Sequence, residues 1–426
     1  MDRFFGIFGI IAILGIAYLL SNNKKAINWR LVISGLLIQI SLAVFILKVP
    51  LGQKIFAFLG YVVKKLLDYA LEGGEFVFGP LVNVPLVEQT FGPGQGYLFV
   101  FQLTISVIFI AVLVSISYHI GLMQRIISVV AKLVHKLMGV SGSEALSNAA
   151  SAFVGQVEAQ IMIKPYVSGM TMSELLASMA GSMACIAGGV MAVYISMGVP
   201  AEYLLAASIM AAPGALVVSK IVYPETEESE TKGEVKLDIK KTSINLIDAA
   251  AHGASDGMKI SINVVAMLVG FIALIAMLDA FTGFAGKHLA IIGLSLDFIG
   301  LDLQHLGIKD IFGTVFSVFA WLMGVPWNEA HSVGALMGTK MVINEFVAYT
   351  DLIPLIKESA LSPKSIVIAS FALCGFANFS SIAIQIGGIG ELAPNRKKDL
   401  ARLGIKALIC GTMASYMSAT IAGILN

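Results

Sequence analysis

Apolar runs long enough to cross about 30 Å of hydrocarbon, roughly 20 residues each, recur near 3–20, 31–49, 98–124, 174–198, 203–223, 260–283, 364–386 and 403–425. The pattern predicts about eight membrane-spanning helices. Between the second and third runs, segment 50–95 is interrupted by Gly and Pro clusters such as FGPGQG (91–96). It reads as interfacial helices and loops, with its amphipathic piece KKLLDYALEG lying along the membrane surface. A polar tract, PETEESETKGEVKLDIKKTS (224–243), mixes charges without an apolar period and reads as a solvated loop.

Two further apolar segments do not fit as crossings. Residues 145–167, ALSNAASAFVGQVEAQIMIKPYV, and 333–356, VGALMGTKMVINEFVAYTDLIPLI, each carry polar groups near the centre. Each is followed within about ten residues by a complete span, so counting either as a crossing would invert the sidedness of the rest. Re-entrant hairpins resolve this, and unwound backbone at membrane depth requires a protein-lined or watery cavity. The first hairpin is followed by a span containing CIAGGV (185–190) and the second by one containing CGFANFSS (374–381), both suited to a helix break. Opposed hairpins, each with a breakable helix, predict an inverted repeat with a midplane binding site. The organisation expected is a peripheral scaffold over 1–97, a first repeat over 98–223 with a hairpin at about 141–168, a cytoplasmic linker over 224–247, and a second repeat over 248–426 with a hairpin at about 325–357.

Charge sets the orientation. Lys24, Lys25 and Arg30 separate the first two runs, and NRKKDLAR (395–402) precedes the last, so both loops are expected in the cytoplasm. An even number of crossings then puts both termini outside a cytoplasmic (inner) membrane. A composition of 57% hydrophobic and 13% charged residues lies outside the range of soluble domains. A net charge of +1 gives no electrostatic case for nucleic acid, and three cysteines without a CxxC pair suggest neither a disulfide framework nor a zinc site. The class is therefore an all-α polytopic membrane protein whose main partner is the lipid bilayer.

Intramembrane ionisable groups are costly and point to function. The deep ones are Glu158 in the first hairpin and Lys340 and Glu345 in the second. Lys340 also has a structural reading, as a cap or as the partner of an acid such as Glu329. Gln156 and Glu158, two apart, converge only at a tip after Gly155, and Asn344 with Glu345 forms the counterpart. Amide and carboxylate groups facing each other suit a neutral, hydroxyl-rich ligand rather than a metal, because a carboxylate accepts from vicinal diols and an amide both donates and accepts. Phe346 and Phe376 are placed to stack on a ring, and Asn378, Ser380 and Ser381 lie beside the predicted second break. No nucleotide-loop or nucleophile-elbow motif occurs in the required context, and no cofactor is expected. An alternative is an intramembrane enzyme using Glu158 and Glu345 as an acid and base pair, although an inverted repeat serves no evident purpose there.

The stretch GTKMVINEFVAY (338–349) matches the signature G-x-K-x-x-x-N-E-F-V-A of concentrative nucleoside transporters through Gly338, Lys340, Asn344 and Glu345. FVGQVEA and CGFANFSSIAI resemble that family's other two site motifs. The resemblance implies a homotrimer in which each protomer holds a nucleoside between two hairpins and two broken helices, with an elevator-like motion against a fixed scaffold. It implies that Gln156 and Glu158 address the base, that Val190 packs against it, that Glu345, Asn378 and Ser381 hold the ribose, and that Phe376 lines the pocket.

Two departures bear on specificity and coupling. Val157 stands where the family usually has Thr or Ser between the Gln and the Glu, which alters the base site. The positions matching the family's sodium-binding Asn and Ser are Ser151 and Cys185, flanked in the ion region by Val154 and Ile186. A thiol is a poor ligand for a hard cation, so the reading favours coupling to H+ over Na+.

Overall fold

Within residues 5–92, 96, 98–232, 243–291 and 302–426, which the computed structural model describes, every regular element is a helix. Among the described residues, six helical stretches are long and apolar enough to cross a bilayer: Trp29–Leu47, Phe99–His119, Met172–Met197, Ala201–Val222, Leu246–Ile291 and Pro394–Leu425. The two other predicted runs take different forms. Residues 3–20 give the 15-residue helix Phe5–Leu19, and 364–386 divides into Pro363–Leu373 and Phe379–Leu392. The stretch Met172–Met197 is interrupted as well, between Ala184 and Gly188. The chain is a polytopic all-α membrane protein.

The second apolar segment forms Trp327–Val342 and Glu345–Lys357 around a turn at Ile343 and Asn344. It is preceded by Ile308–Leu322, which meets Trp327–Val342 at a bend of 117°. The first has one regular arm, Gly142–Ser151, whereas its return arm is only two single-turn helices, Glu158–Ile161 and Lys164–Val167. The arm Gly142–Ser151 and the broken stretch beginning at Met172 both start on a capping box. Ser141 with Glu144 closes one and Thr171 with Glu174 the other, each supplying partners for N–H groups that a helix start leaves open.

Three sequence expectations need correction. Residues 50–78 are not broken: Pro50 at the first turn opens one continuous 29-residue helix, Pro50–Phe78. Its outer side carries Phe58, Tyr61, Tyr69 and Phe76 in exposed positions, so its length escaped an apolar-run test because lysines and acids interleave the apolar residues. The run 98–124 stops at His119, where Gly121 at φ +79° turns the chain into a separate helix, Leu122–Met138, ended by Gly139 at φ +69°. The linker is not wholly solvated. Glu225 accepts from Thr171 Oγ1 at 2.8 Å and pairs with Lys220 at 3.3 Å, while Ser229 and Thr231 bond Glu174 and Ser143. Linker residues 233–242 lie outside the described residues.

The terminal helix Lys397–Leu425 forms the centre of the core, buried almost continuously from Ala407 to Gly423 and packed on Met172–Ala184, Ala201–Val222 and both halves of the second broken stretch. Gly411 lets the backbone of Ala180 and Met183 approach it, because a Cβ there would meet Met183 Cβ at 2.8 Å. The 46-residue helix Leu246–Ile291 is the opposite case. It is about 69 Å long at 1.5 Å per residue, packs on Phe99–His119, and leaves Val269, Ile272, Phe281 and Phe284 exposed.

Candidate functional site

The two broken stretches cross at their breaks. Pro363–Leu373 ends at Cys374, and Gly375 adopts φ +116°, a conformation that favours glycine. A Cβ on Gly375 would meet the carbonyl of Ala184, so the break in one stretch needs a glycine in the other. The N–H of Phe376 then donates to Cys185 O at 3.3 Å, and Gly188 N–H donates to Phe153 O at 3.2 Å. Through these bonds the first tip and both breaks become one unit.

Lys340, fully buried, completes it. Its ammonium donates to Ala372 O at 2.8 Å and Cys374 O at 3.2 Å, which are carbonyls freed where the helix stops. Lys340 is therefore a cap and is not paired with Glu329. Glu329 instead accepts from Ser362 N and Oγ at 3.1 and 2.9 Å, at the start of Pro363–Leu373.

Three helix starts converge below this crossing. Gly188–Met197, Glu345–Lys357 and Phe379–Leu392 begin at Ala187, Asn344 and Asn378, and the two asparagines accept from Val347 N and Ser381 N at 2.9 Å. Their N-terminal ends favour negative charge. Glu345 sits at one of them, with Oε1 accepting from the Tyr194 hydroxyl and Oε2 from Asn378 Nδ2, both at 3.1 Å.

A cavity of about 290 Å³ opens at this point. The first tip supplies Gln156, Val157 and Glu158, and the first break supplies Val190 and Tyr194. The second tip adds Asn344, Glu345 and Phe346, and the second break adds Phe376, Asn378, Ser380 and Ser381. Gln156 bridges the halves, donating to Ser381 Oγ at 3.4 Å and accepting from Gln385 Nε2 at 3.4 Å. The Glu158 carboxylate folds back against Gly155, where a Cβ would lie.

The sequence reading did not single out Tyr194, Ile260, Asn263, Val264 or Leu268, which also line this cavity. Tyr194 is four residues after Val190 on one helix, the spacing that shares a face, and this signal was available. The other four come from the long helix Leu246–Ile291, where only tertiary packing brings them in.

Ser151, Val154, Cys185, Ile186, Gly338 and Lys340 are placed behind the cavity wall. Ser151 Oγ donates to Ser147 O at 2.7 Å and lies 3.0 Å from Ser182 Oγ, and Cys185 Sγ donates to Ser208 O at 3.5 Å. Gly338 packs against the Phe312 side chain with no room for a Cβ. Among the described residues, no group of three or more His, Cys, Asp and Glu is placed to hold a metal ion.

A helix-break cavity between two tips within a polytopic bundle defines a secondary transporter architecture. Family models for the Na+ dependent nucleoside transporter C-terminus match residues 203–423 and its N-terminus residues 8–81, and one for nucleoside recognition matches 100–201. The chain is 43% identical to an uncharacterized transporter, YutK, of Bacillus subtilis (strain 168), over 100% of both chains. It is 38% identical to the nucleoside permease NupC of Helicobacter pylori, over 99% of this chain and 97% of that one. The solved structure of CNTnw in an inward-facing substrate-bound state superposes with a TM-score of 0.91 at 42% identity, covering 100% of this chain and 98% of that one. The protein belongs to the concentrative nucleoside transporter family. Its relatives are named as transporters and permeases, and the enzyme alternative gains no support from them.

Proposed function

We infer that the protein is a symporter that imports nucleosides across the cytoplasmic membrane and binds them in the cavity between the two tips. The observation that carries this is the convergence of Gln156, Glu345, Asn378 and Ser381 on one cavity, an array of acceptors and donors suited to a base edge and a ribose diol. In this reading Gln156 and Glu158 address the base, with Val157 and Val190 packed against it. Glu345, Asn378 and Ser381 hold the ribose, and Phe376 lines the pocket.

The segments at 141–168 and 325–357 act as re-entrant hairpins opening inward and outward. Leu246–Ile291, exposed along much of its length, belongs to a fixed scaffold whose apolar side faces other copies in a homotrimer. The peripheral helices within 1–97 belong to the same scaffold, and the domain carrying the two hairpins moves as an elevator past it. The basic loops lie inside and both termini outside. A trimer predicts a mass of three times 45.1 kDa by light scattering in detergent, and a single-chain mass would overturn that part.

The favoured coupling ion is H+. Cys185 puts a thiol, already donating to Ser208 O, where a sodium site calls for a hard oxygen. Na+ is the second reading, supported by the description of the matching family models. Labelled uridine uptake into proteoliposomes decides both points. Accumulation driven by a proton gradient alone is expected. Accumulation under a sodium gradient at equal pH and clamped voltage would replace H+ by Na+, and no accumulation under either gradient would overturn nucleoside symport.

A further inference from the structure

The fully buried Tyr194 lies in Gly188–Met197, and its hydroxyl donates a hydrogen bond to Glu345 Oε1 at 3.1 Å, across 151 positions of sequence. Asn378 holds Oε2 at the same distance from the other side. The terminal torsion of a glutamate is broad and roughly two-fold, so a carboxylate left alone samples many orientations. With one donor fixed on each oxygen, rotation breaks a bond, and the remaining acceptor sites keep constant directions. The tyrosine is itself fixed, its ring 4.4 Å from Tyr349 and 5.6 Å from Phe346 between centroids. A donor mounted on packed aromatic rings orients a charged acceptor at little entropic cost.

We propose that Tyr194 is the positioning residue of the sugar subsite: it orients Glu345 towards the ribose hydroxyls and thereby sets the preference for ribosides over 3′-deoxyribosides. This rests on the nucleoside reading above. Tyr194 touches the carboxylate and acts through it. Its loss should therefore weaken ligands that use Glu345 more than ligands that do not, whereas a packing residue would weaken both alike.

The test is equilibrium binding of uridine and 3′-deoxyuridine to the purified full-length protein. Tyr194→Phe should raise the uridine Kd about tenfold, the scale of a lost hydrogen bond to a charged group, and change that of 3′-deoxyuridine less than about twofold. Tyr349→Phe removes another buried hydroxyl, one that donates to Ser370 O at 2.8 Å, and should leave the ratio of the two ligands unaltered. In a Glu345→Gln background, Tyr194→Phe should have little further effect on uridine, because contacting residues in one network are not additive. If the phenylalanine variant does not assemble, 4-aminophenylalanine at the same position keeps the ring and a weaker donor, and an intermediate riboside preference is expected. An unchanged preference in either variant, or additive losses with Glu345→Gln, overturns the role of Tyr194. Wild-type protein that binds no uridine overturns the nucleoside reading itself, which separates the two failures.

Discussion

The buried ammonium of Lys340 lies 3.2 Å from the carbonyl of Cys374 and donates to it, with Ala372 O as its second acceptor. A cation in one helix thus supplies the donors that the broken end of another lacks. Lys340→Met should leave both carbonyls without partners in a buried site, at about 1–3 kcal/mol each. The expected result is a lower thermal midpoint in detergent together with loss of uptake. A variant with normal thermal stability would contradict the capping role.

Much of the site was legible because its chemistry is compressed into short motifs. Gln156, Val157 and Glu158 are contiguous, as are Asn344 and Glu345, and Asn378 to Ser381 span four positions, so a charge or amide in an apolar run was enough to mark each. The partner of Lys340 was not legible, since it is a backbone carbonyl and carries no side-chain signal. Asn263 and Leu268 escaped for a related reason: from Val264 to Leu278 the long helix is apolar on every side, and only its packing decides which side meets the cavity. The helix Pro50–Phe78 was misread as part of a broken segment because the Gly and Pro cluster that marks the break, at 91–96, lies beyond its end, while lysines and acids interrupt its apolar runs. The linker was misread because its acid Glu225 finds a hydroxyl partner distant in sequence, Thr171, beside the ammonium of the buried Lys220.

Glu345→Gln keeps the shape of the side chain and removes the charge. The glutamine can present only one acceptor oxygen to Tyr194 and Asn378, and its amide then faces a donor. Initial uridine uptake is expected to fall about 10- to 100-fold, with an unchanged elution profile on size exclusion. Near-normal uptake would remove Glu345 from the substrate site.

Val157 lines the cavity, and its methyl groups pack where a Cβ on Gly388 would lie. Replacing one methyl with a hydroxyl is nearly volume-neutral and adds a donor and an acceptor beside Gln156 and Glu158. Val157→Thr should therefore reorder competition among purine and pyrimidine nucleosides by several-fold while leaving the maximal rate within about twofold. An unchanged inhibition profile would show that position 157 does not read the base.

Gly375→Ala confronts two obstacles together. The residue has φ +116°, and the added methyl would press on Ala184 O in the other broken stretch. Backbone strain of about 1–3 kcal/mol adds to a similar overpacking cost, and the crossing is backbone against backbone, with no side chain to yield. Loss of monodisperse protein in fluorescence-detected size exclusion is expected. A well-behaved alanine variant would mean that the two breaks do not meet as described.

At the base of the first hairpin, Glu144 and Lys220 form an ion pair at 2.7 Å, each almost wholly buried, with Ser173 donated to by the same ammonium at 2.9 Å. Such a pair resists the loss of either member more than the loss of both, because one removal leaves a charge without its counterion in a low-dielectric site. Glu144→Gln should therefore destabilise by about 3–5 kcal/mol, and so should Lys220→Met, which strands the glutamate. The double variant should recover a large part of the loss, limited by Glu225, which also pairs with Lys220 at 3.3 Å and would then be left at the edge of the cluster. Chemical-denaturation midpoints of the four proteins in detergent measure the coupling. Additive single losses would mean that the two side chains act independently, against the close pairing found between them.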